Sequence, residues 1–361
     1  MGLDVAVIGG GQAGLAVGSL LKDQGRRFAI YEAADHIAPA WRGRWDSLTL
    51  FTPRRYDALP GMPFPGDPDG HPTRDEVIAY LEAYARRLEL PVVTGRRVRR
   101  LRAGDGGGFV LEFGDGHEEA DQVIVATGPF QAPRIPPFAT DLAPDLVQMH
   151  STAYRRPGDV PAGRVLVVGG GNTGFQIAQD LAPTRDVTLA IGSRQTPLPQ
   201  RLLGRDVFWW LTRLGVLGKT AESRIGRRAQ GRDTLIGSSP RAIRRAGVAV
   251  RPRVVGVRGR EVRFADGGVA TPDAVIWATG YRPDHSWIDL PAFDGDGRLR
   301  HRRGVTDVPG LFFLGLSWQH TRGSALLGFV ADDARFIADR IAARAAAGPP
   351  DARGAGTRQG V

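Results

Sequence analysis

The chain has 361 residues, 42% hydrophobic and 24% charged, enough to bury a sizeable core and to fill roughly two domains of ~150 residues. It contains no cysteine, which excludes disulfide frameworks, zinc–thiolate and iron–sulfur sites, nucleophilic thiols and any dithiol redox mechanism carried by the chain itself. Of the net charge of +10, nine charges fall between Arg194 and Arg245, where twelve basic residues face only Asp206, Glu222 and Asp233; this points to a local anionic ligand.

In chain order, the first apolar run, residues 5–8, is too short for a signal-peptide core. No run approaches the ~18 apolar residues of a membrane helix. A soluble cytoplasmic protein with no integral membrane segment is therefore expected. Residues 5–8 lead into Gly9-Gly-Gly11-Gln12-Ala13-Gly14 and a helix predicted over 15–21. Gly9 permits the tight turn, Gly11 lets the backbone approach a pyrophosphate, and Gly14 allows close packing of helix on strand. The helix N-terminus offers free N–H groups to phosphate. A second strand, 28–31, ends at Glu32, 18 residues beyond Gly14, where a carboxylate accepts hydrogen bonds from the hydroxyls of an adenosine ribose.

The plan recurs. A strand from 164 meets Gly169-Gly-Gly171-Asn172-Thr173-Gly174, a helix is predicted over 175–181, and a strand over 187–191 follows. That strand ends in Gly192, Ser193 and Arg194, where the first copy carries Glu32. A carboxylate repels a ribose 2′-phosphate, whereas serine and arginine hold one. The first site is thus expected to take an adenine dinucleotide with a free ribose, and the second NADP. Each copy continues through short strands and closes on an apolar strand ending in Ala-Thr-Gly, at Thr127 and Thr279, 118 and 110 residues after the first glycine. Two dinucleotide sites in one duplicated chain mean that electrons pass between two cofactors.

The remaining segments carry weaker signals. Residues 208–217, with Phe208, Trp209 and Trp210 among arginines, are expected to form a lid or a subunit interface, a homodimer being one arrangement open to them. No nucleic-acid-binding motif accompanies the charge, so nucleic acid is not an expected partner. None of the seven histidines pairs at metal-ligand spacing, and no metal site is expected. Ser324 is the expected N-cap of a final helix over 325–341, in which Leu327, Val330, Ala334, Ile337 and Ile341 recur at helical spacing. The polar tail at 346–361 is expected to be disordered.

Together with Trp41-Arg-Gly-Arg-Trp45-Asp-Ser-Leu-Thr-Leu-Phe-Thr52-Pro53, His150-Ser151-x-x-Tyr154 and Thr321-Arg322-Gly-Ser324-Ala325-Leu326-Leu-Gly328, these motifs resemble the class B flavin-containing monooxygenases, in their short bacterial, CzcO-like branch. The resemblance covers nearly the whole chain. It implies an α/β fold of two Rossmann-like dinucleotide-binding domains in a glutathione-reductase-like architecture: an FAD domain at 1–157 and 282–345, with an NADP domain at 158–281 inserted in it. It places Trp41 and Trp45 along the ribityl–pyrophosphate of FAD, although the residues alone also allow an aromatic pair on one helical face. It brings Ser324, Ala325 and Leu326 to the pyrimidine end of the flavin. Two departures stand out: Leu146 and Gln148 occupy the region where the family has Phe-x-Gly, and Thr52 precedes Pro53 where some members carry asparagine.

The implied reaction is NADPH-dependent. Reduced flavin and O₂ form a C4a-peroxy species, which delivers one oxygen atom to a small soft nucleophile such as an amine nitrogen or a sulfide. The flavin carries this chemistry, so no catalytic side chain is assigned; Thr52, His150 and Arg322 are candidates. Two other readings stay open: an NADPH-dependent electron-transferase acting on a partner protein or quinone, and a redox sensor of the NADPH/NADP ratio.

Overall fold

The computed structural model describes residues 2–230 and 233–347; Arg232 and residues 348–361 of the expected disordered tail lie outside the described residues, whereas Ala346 and Ala347 end the final helix. Two parallel sheets organise the chain. In the first, strands run in the order Val92–Val93, Phe28–Tyr31, Leu3–Ile8, His117–Val125 and Leu311–Phe313. In the second the order is Ala249–Pro252, Asp186–Ile191, Arg164–Val168, Ala274–Trp277 and Val147–His150. The two orders superimpose position for position up to the last strand, so the duplication read from the motifs is a duplication of topology. Each unit also has an antiparallel meander: Arg100–Ala103 with Phe109–Glu112 extends the first sheet, whereas Val254–Arg258 with Glu261–Phe264 and Val269–Ala270 forms a separate three-stranded sheet in the other unit.

The fifth strand shows how one unit is inserted in the other. The first sheet receives Leu311–Phe313 only after the chain has built the second unit. The second sheet takes its fifth strand, Val147–His150, from residues ahead of its glycine loop. Residues 147–150 are thus hydrogen-bonded into the second sheet.

Apolar stretches over 5–8 and 165–168 are buried on both faces, which is why they read as continuous Val, Ala, Ile and Leu rather than as alternation. Helix Gln12–Asp23 buries Ala13, Leu15, Ala16, Val17 and Leu21 against the first sheet and the final helix. That final helix spans Val330–Ala347 and buries Val330, Ala334, Ile337 and Ile341 completely, the valine and the two isoleucines each stabilising the fold by ~1.5–3 kcal/mol. It starts later than expected, so Ser324 is not its N-cap. Residues Arg322–Ala325 instead form a 3-10 turn capped by Thr321, and Ser324 Oγ accepts from the backbone N–H groups of His320 and Thr321 at 3.1 and 3.0 Å. No helix among the described residues is long and apolar enough to cross a membrane.

Candidate active site

Both glycine loops have the same steric logic. A Cβ on Gly14 would lie 1.9 Å from Gly9 O, and one on Gly174 would lie 2.0 Å from Gly169 O. Gly9 and Gly169 themselves adopt φ of +118° and +141°, with a hypothetical Cβ 2.6 and 2.1 Å from the carbonyls of Ala126 and Ala278, at the ends of the Ala-Thr-Gly strands. Only glycine fits there. Gly11 and Gly171 differ: nothing lies within 4 Å of a Cβ at either, so the backbone there faces open space. Each is the N-cap of its helix, Gln12–Asp23 or Asn172–Leu181, without a side-chain cap and without an acidic residue in the first turn. The first-turn N–H groups are thus left for a ligand with negative charge, as a pyrophosphate requires.

The two N-termini open on one cleft of about 820 Å³. From the expected set it is lined by Gly9, Gly11, Gln12, Ala13, Glu32, Trp41, Trp45, Thr52, Thr127, Arg322, Ala325 and Leu326 of the first unit and by Gly171, Asn172 and Thr173 of the second. Gly14, Gly169 and Gly174 sit behind it as packing positions. Glu32, 6% exposed, is held by Gly10 N–H at 2.7 Å and Ala34 N–H at 2.9 Å, one on each oxygen, leaving further lone pairs for hydroxyls in the cleft. Trp41 Nε1 donates to Gln12 Oε1 at 2.9 Å, tying the tryptophan segment to the first glycine helix. The two tryptophans share no helical face, because that helix covers only Pro39–Arg42.

Other candidates fall elsewhere. His150 does not line the cleft. It is buried, its Nε2 lies 3.0 Å from Gly280 O and its Nδ1 accepts from Thr152 N–H at 3.2 Å, which fixes the Nε2–H tautomer. Burial holds the imidazole below its ordinary pKa, against the pull of that carbonyl, and its ring packs edge-on to Tyr281 at 5.1 Å. It braces a cleft wall. Thr279 Oγ1 donates to Arg134 O, outside the cleft. Asn172 uses its amide to bind Thr234 O and Ile236 N–H, stapling the second glycine helix to strand Asp233–Ile236. Ser193 and Arg194 lie exposed at the end of Asp186–Ile191, away from the shared cleft.

Several groups were not found from sequence. Arg253 donates to Gly192 O at 2.7 Å, bringing a guanidinium to the strand end that carries Ser193 and Arg194. Arg44 donates to Tyr281 OH at 2.8 Å and stacks over Phe130 and Tyr281 at 4.8 and 5.4 Å, closing one wall of the cleft. A signal existed: Phe130 and Tyr281 each follow an Ala-Thr-Gly within two residues. Trp318 also lines the cleft, with φ +58°, a conformation that costs ~1–3 kcal/mol in a bulky residue. Arg322 has no ion pair among the described residues, and burial lowers its pKa from the ordinary guanidinium value.

Residues 208–217 do not form a detached lid. Phe208, 1% exposed, stacks against Phe51 at 5.8 Å and meets Tyr56 and Phe329, all from the first unit. Beside it Asp206 caps helix Val207–Arg213 through Phe208 N–H at 2.8 Å and lies 3.1 Å from His71 Nε2. Burial pushes the Asp206 carboxyl up, but the bonds from His71, Gln200 and Phe208 outweigh it and hold the pKa below its ordinary value. This segment clamps the two units together.

The sequence pattern of the pyridine nucleotide-disulphide oxidoreductase family matches residues 6–201. An uncharacterized CzcO-like oxidoreductase of Geobacillus kaustophilus is 43% identical over 342 residues, 94% of this chain and 98% of its own. The probable indole-3-pyruvate monooxygenase YUCCA9 of Arabidopsis thaliana is 30% identical over 326 residues, 80% of this chain and 77% of its own. Among solved structures, the flavin-containing monooxygenase from Stenotrophomonas maltophilia superimposes with a TM-score of 0.79 at 30% identity, over 94% of this chain and 98% of that one.

Proposed function

This chain belongs to the pyridine nucleotide-disulphide oxidoreductase family, among its class B flavin-monooxygenase-like flavoproteins, and on that premise we propose that it is an NADPH-dependent monooxygenase that transfers one atom of O₂ to a small soft nucleophile. The observation that carries the reading is the shared cleft: Gly11 and Gln12 of one helix start and Gly171 and Thr173 of the other face the same space. Two helix ends suited to pyrophosphate on one cavity would let both dinucleotides be held within it, as hydride transfer between them requires. With no cysteine in the chain, a redox dithiol has no place in the route of the electrons.

In this assignment FAD lies on the unit built from residues 1–157 and 282–345, with strand Val147–His150 lent to the neighbouring sheet, and NADP(H) on residues 158–281. Glu32 accepts from the adenosine ribose of FAD. Gly11, Gln12 and Ala13 hold its pyrophosphate, and Trp41, Trp45, Thr127, Ala325 and Leu326 line its length. Gly171, Asn172 and Thr173 hold the second pyrophosphate, while Ser193 and Arg194, with Arg253, read the 2′-phosphate. FAD, when bound, supplies hydride acceptance and oxygen activation. The residues hold, orient and screen: Arg44, Phe130 and Tyr281 form a closed wall against water.

The test is to reduce the enzyme anaerobically with dithionite, with or without added NADP, and mix it with oxygen in a stopped-flow spectrometer. A spectral transient distinct from oxidised and reduced flavin, shortened and replaced by hydrogen peroxide when NADP is omitted, supports the proposal. Reoxidation with no transient in either condition, together with fast reduction of quinones, assigns an electron-transferase instead.

A further inference from the structure

Behind Thr52, on the side away from the cleft, sits a carboxyl that the proposed reaction does not use. Asp57 is 0% exposed. Its Oδ1 lies 2.6 Å from Thr52 Oγ1, and its Oδ2 has no hydrogen-bond partner. Thr52 is itself 3% exposed and lines the cleft. The neighbours of Asp57 leave it no other polar contact. On its own turn, Arg54 is engaged by Glu76 at 2.5 Å and acts on Asp57 only through its charge. From helix Arg74–Arg87, Tyr80 OH already accepts from Leu59 N–H and donates to Met62 O, both at 2.7 Å. From the C-terminal segment, the backbone at Gly328 closes over it, where a Cβ would fall 2.9 Å from Asp57 Cα and 2.2 Å from Tyr56 O.

We propose that Asp57 is a positioning residue whose protonation state decides whether the Thr52 hydroxyl offers the cleft a hydrogen bond or only accepts one. The logic is that of a two-member chain. An ionised carboxylate can only accept, so Thr52 Oγ1–H must donate backwards to Oδ1, and the cleft meets a lone pair. A protonated carboxyl has one polar partner within reach, Thr52, so its proton lies between Oδ1 and Oγ1. The threonine proton then turns into the cleft, toward whichever acceptor the bound flavin or substrate presents. No net proton leaves the pair when the hydroxyl reorients. Burial pushes the Asp57 carboxyl up to about 7, against the Thr52 bond and the charge of Arg54, so the reorientation falls within the working pH range.

This inference rests on the flavin assignment but not on oxygen transfer, and its test separates the two. The resting, oxidised holoenzyme is titrated between about pH 5.5 and 8.5, with the flavin absorbance as local reporter. The expected result is a one-proton transition near pH 7 in the wild type, absent in D57N and in T52V and retained in T52S. In turnover, the oxygen-dependent rate of the wild type should change about tenfold across the same range, the effect of one neutral hydrogen bond, and less than about twofold in D57N. If D57N does not fold, the T52V and T52S pair decides the matter. A transition that persists unchanged in T52V, or in D57N, overturns the proposal. Because the resting spectrum needs no turnover, a failed stopped-flow transient beside a lost transition would sink oxygen transfer and leave Asp57 in its role.

Discussion

Replacing one glycine in each loop assigns the two dinucleotides to their units. In Gly174→Ala the new methyl falls 2.0 Å from Gly169 O and 3.0 Å from Gly169 C, both backbone atoms that no rotamer change can move. Restoring ordinary contact distance requires the helix start to shift by roughly 1 Å, the kind of overpacking that costs ~1–3 kcal/mol in stability. A ligand pyrophosphate held at hydrogen-bond distance by the same helix start loses its geometry with that shift. Each charge-assisted bond lost is worth about 1.5–3 kcal/mol, so NADPH binding should weaken by about ten- to a hundredfold per bond. Gly14→Ala places its methyl 1.9 Å from Gly9 O and should do the same to FAD. The assay is flavin content of the purified protein, by denaturation and chromatography, beside an NADPH binding titration. Gly174→Ala should keep its flavin and lose NADPH affinity, and Gly14→Ala should emerge without flavin. Equal loss of flavin in both variants, or unchanged NADPH affinity in Gly174→Ala, would refute the assignment of one cofactor to each loop.

Three further outcomes follow from the same structure. Arg194→Ala should raise the KM for NADPH by about ten- to a hundredfold and leave NADH little changed, and adding Arg253→Ala should deepen the loss; equal effects on both cofactors would detach these arginines from the 2′-phosphate. Phe208→Ala empties a fully buried ring site between the units and should cost about 3–5 kcal/mol in denaturant unfolding, with a lower cooperativity as the clamp loosens. Asp57 binds its proton more tightly folded than unfolded, so its contribution is present below about pH 4 and is lost as pH rises through about 7. Between those limits wild-type stability should fall by on the order of 4 kcal/mol relative to D57N, measured by urea unfolding at several pH values.

How much of this was legible in the sequence depends on whether the signal was local. Gly9, Gly14, Gly169 and Gly174 could be read because each answers a steric demand set by atoms a few residues away or on the adjoining strand. Glu32 could be read because one strand fixes its distance from the glycines. The final helix was half legible: its apolar period gave the buried face at Val330, Ala334, Ile337 and Ile341, but its start was misplaced. A 3-10 turn capped by Thr321 uses the same serine and the same capping chemistry that a helix start would use.

What the sequence hid are contacts between distant segments. Arg44, Phe130 and Tyr281 come from three parts of the chain; the two aromatics share a place just after Ala-Thr-Gly, but nothing local ties Arg44 to them. Strand Val147–His150 lies ahead of the second glycine loop, yet it completes the second sheet by pairing with Ala274–Trp277, more than 120 residues away. Asp57 is the clearest case. Aspartate after an aromatic in an Arg-rich turn reads as one more solvated acid; it becomes a buried, singly partnered carboxyl only because helix Arg74–Arg87 and the backbone at Gly328 close over it from opposite ends of the sequence. Burial of such a group without a counter-ion costs stability. A fold that holds it beside the shared cleft places that cost where a hydroxyl's direction matters.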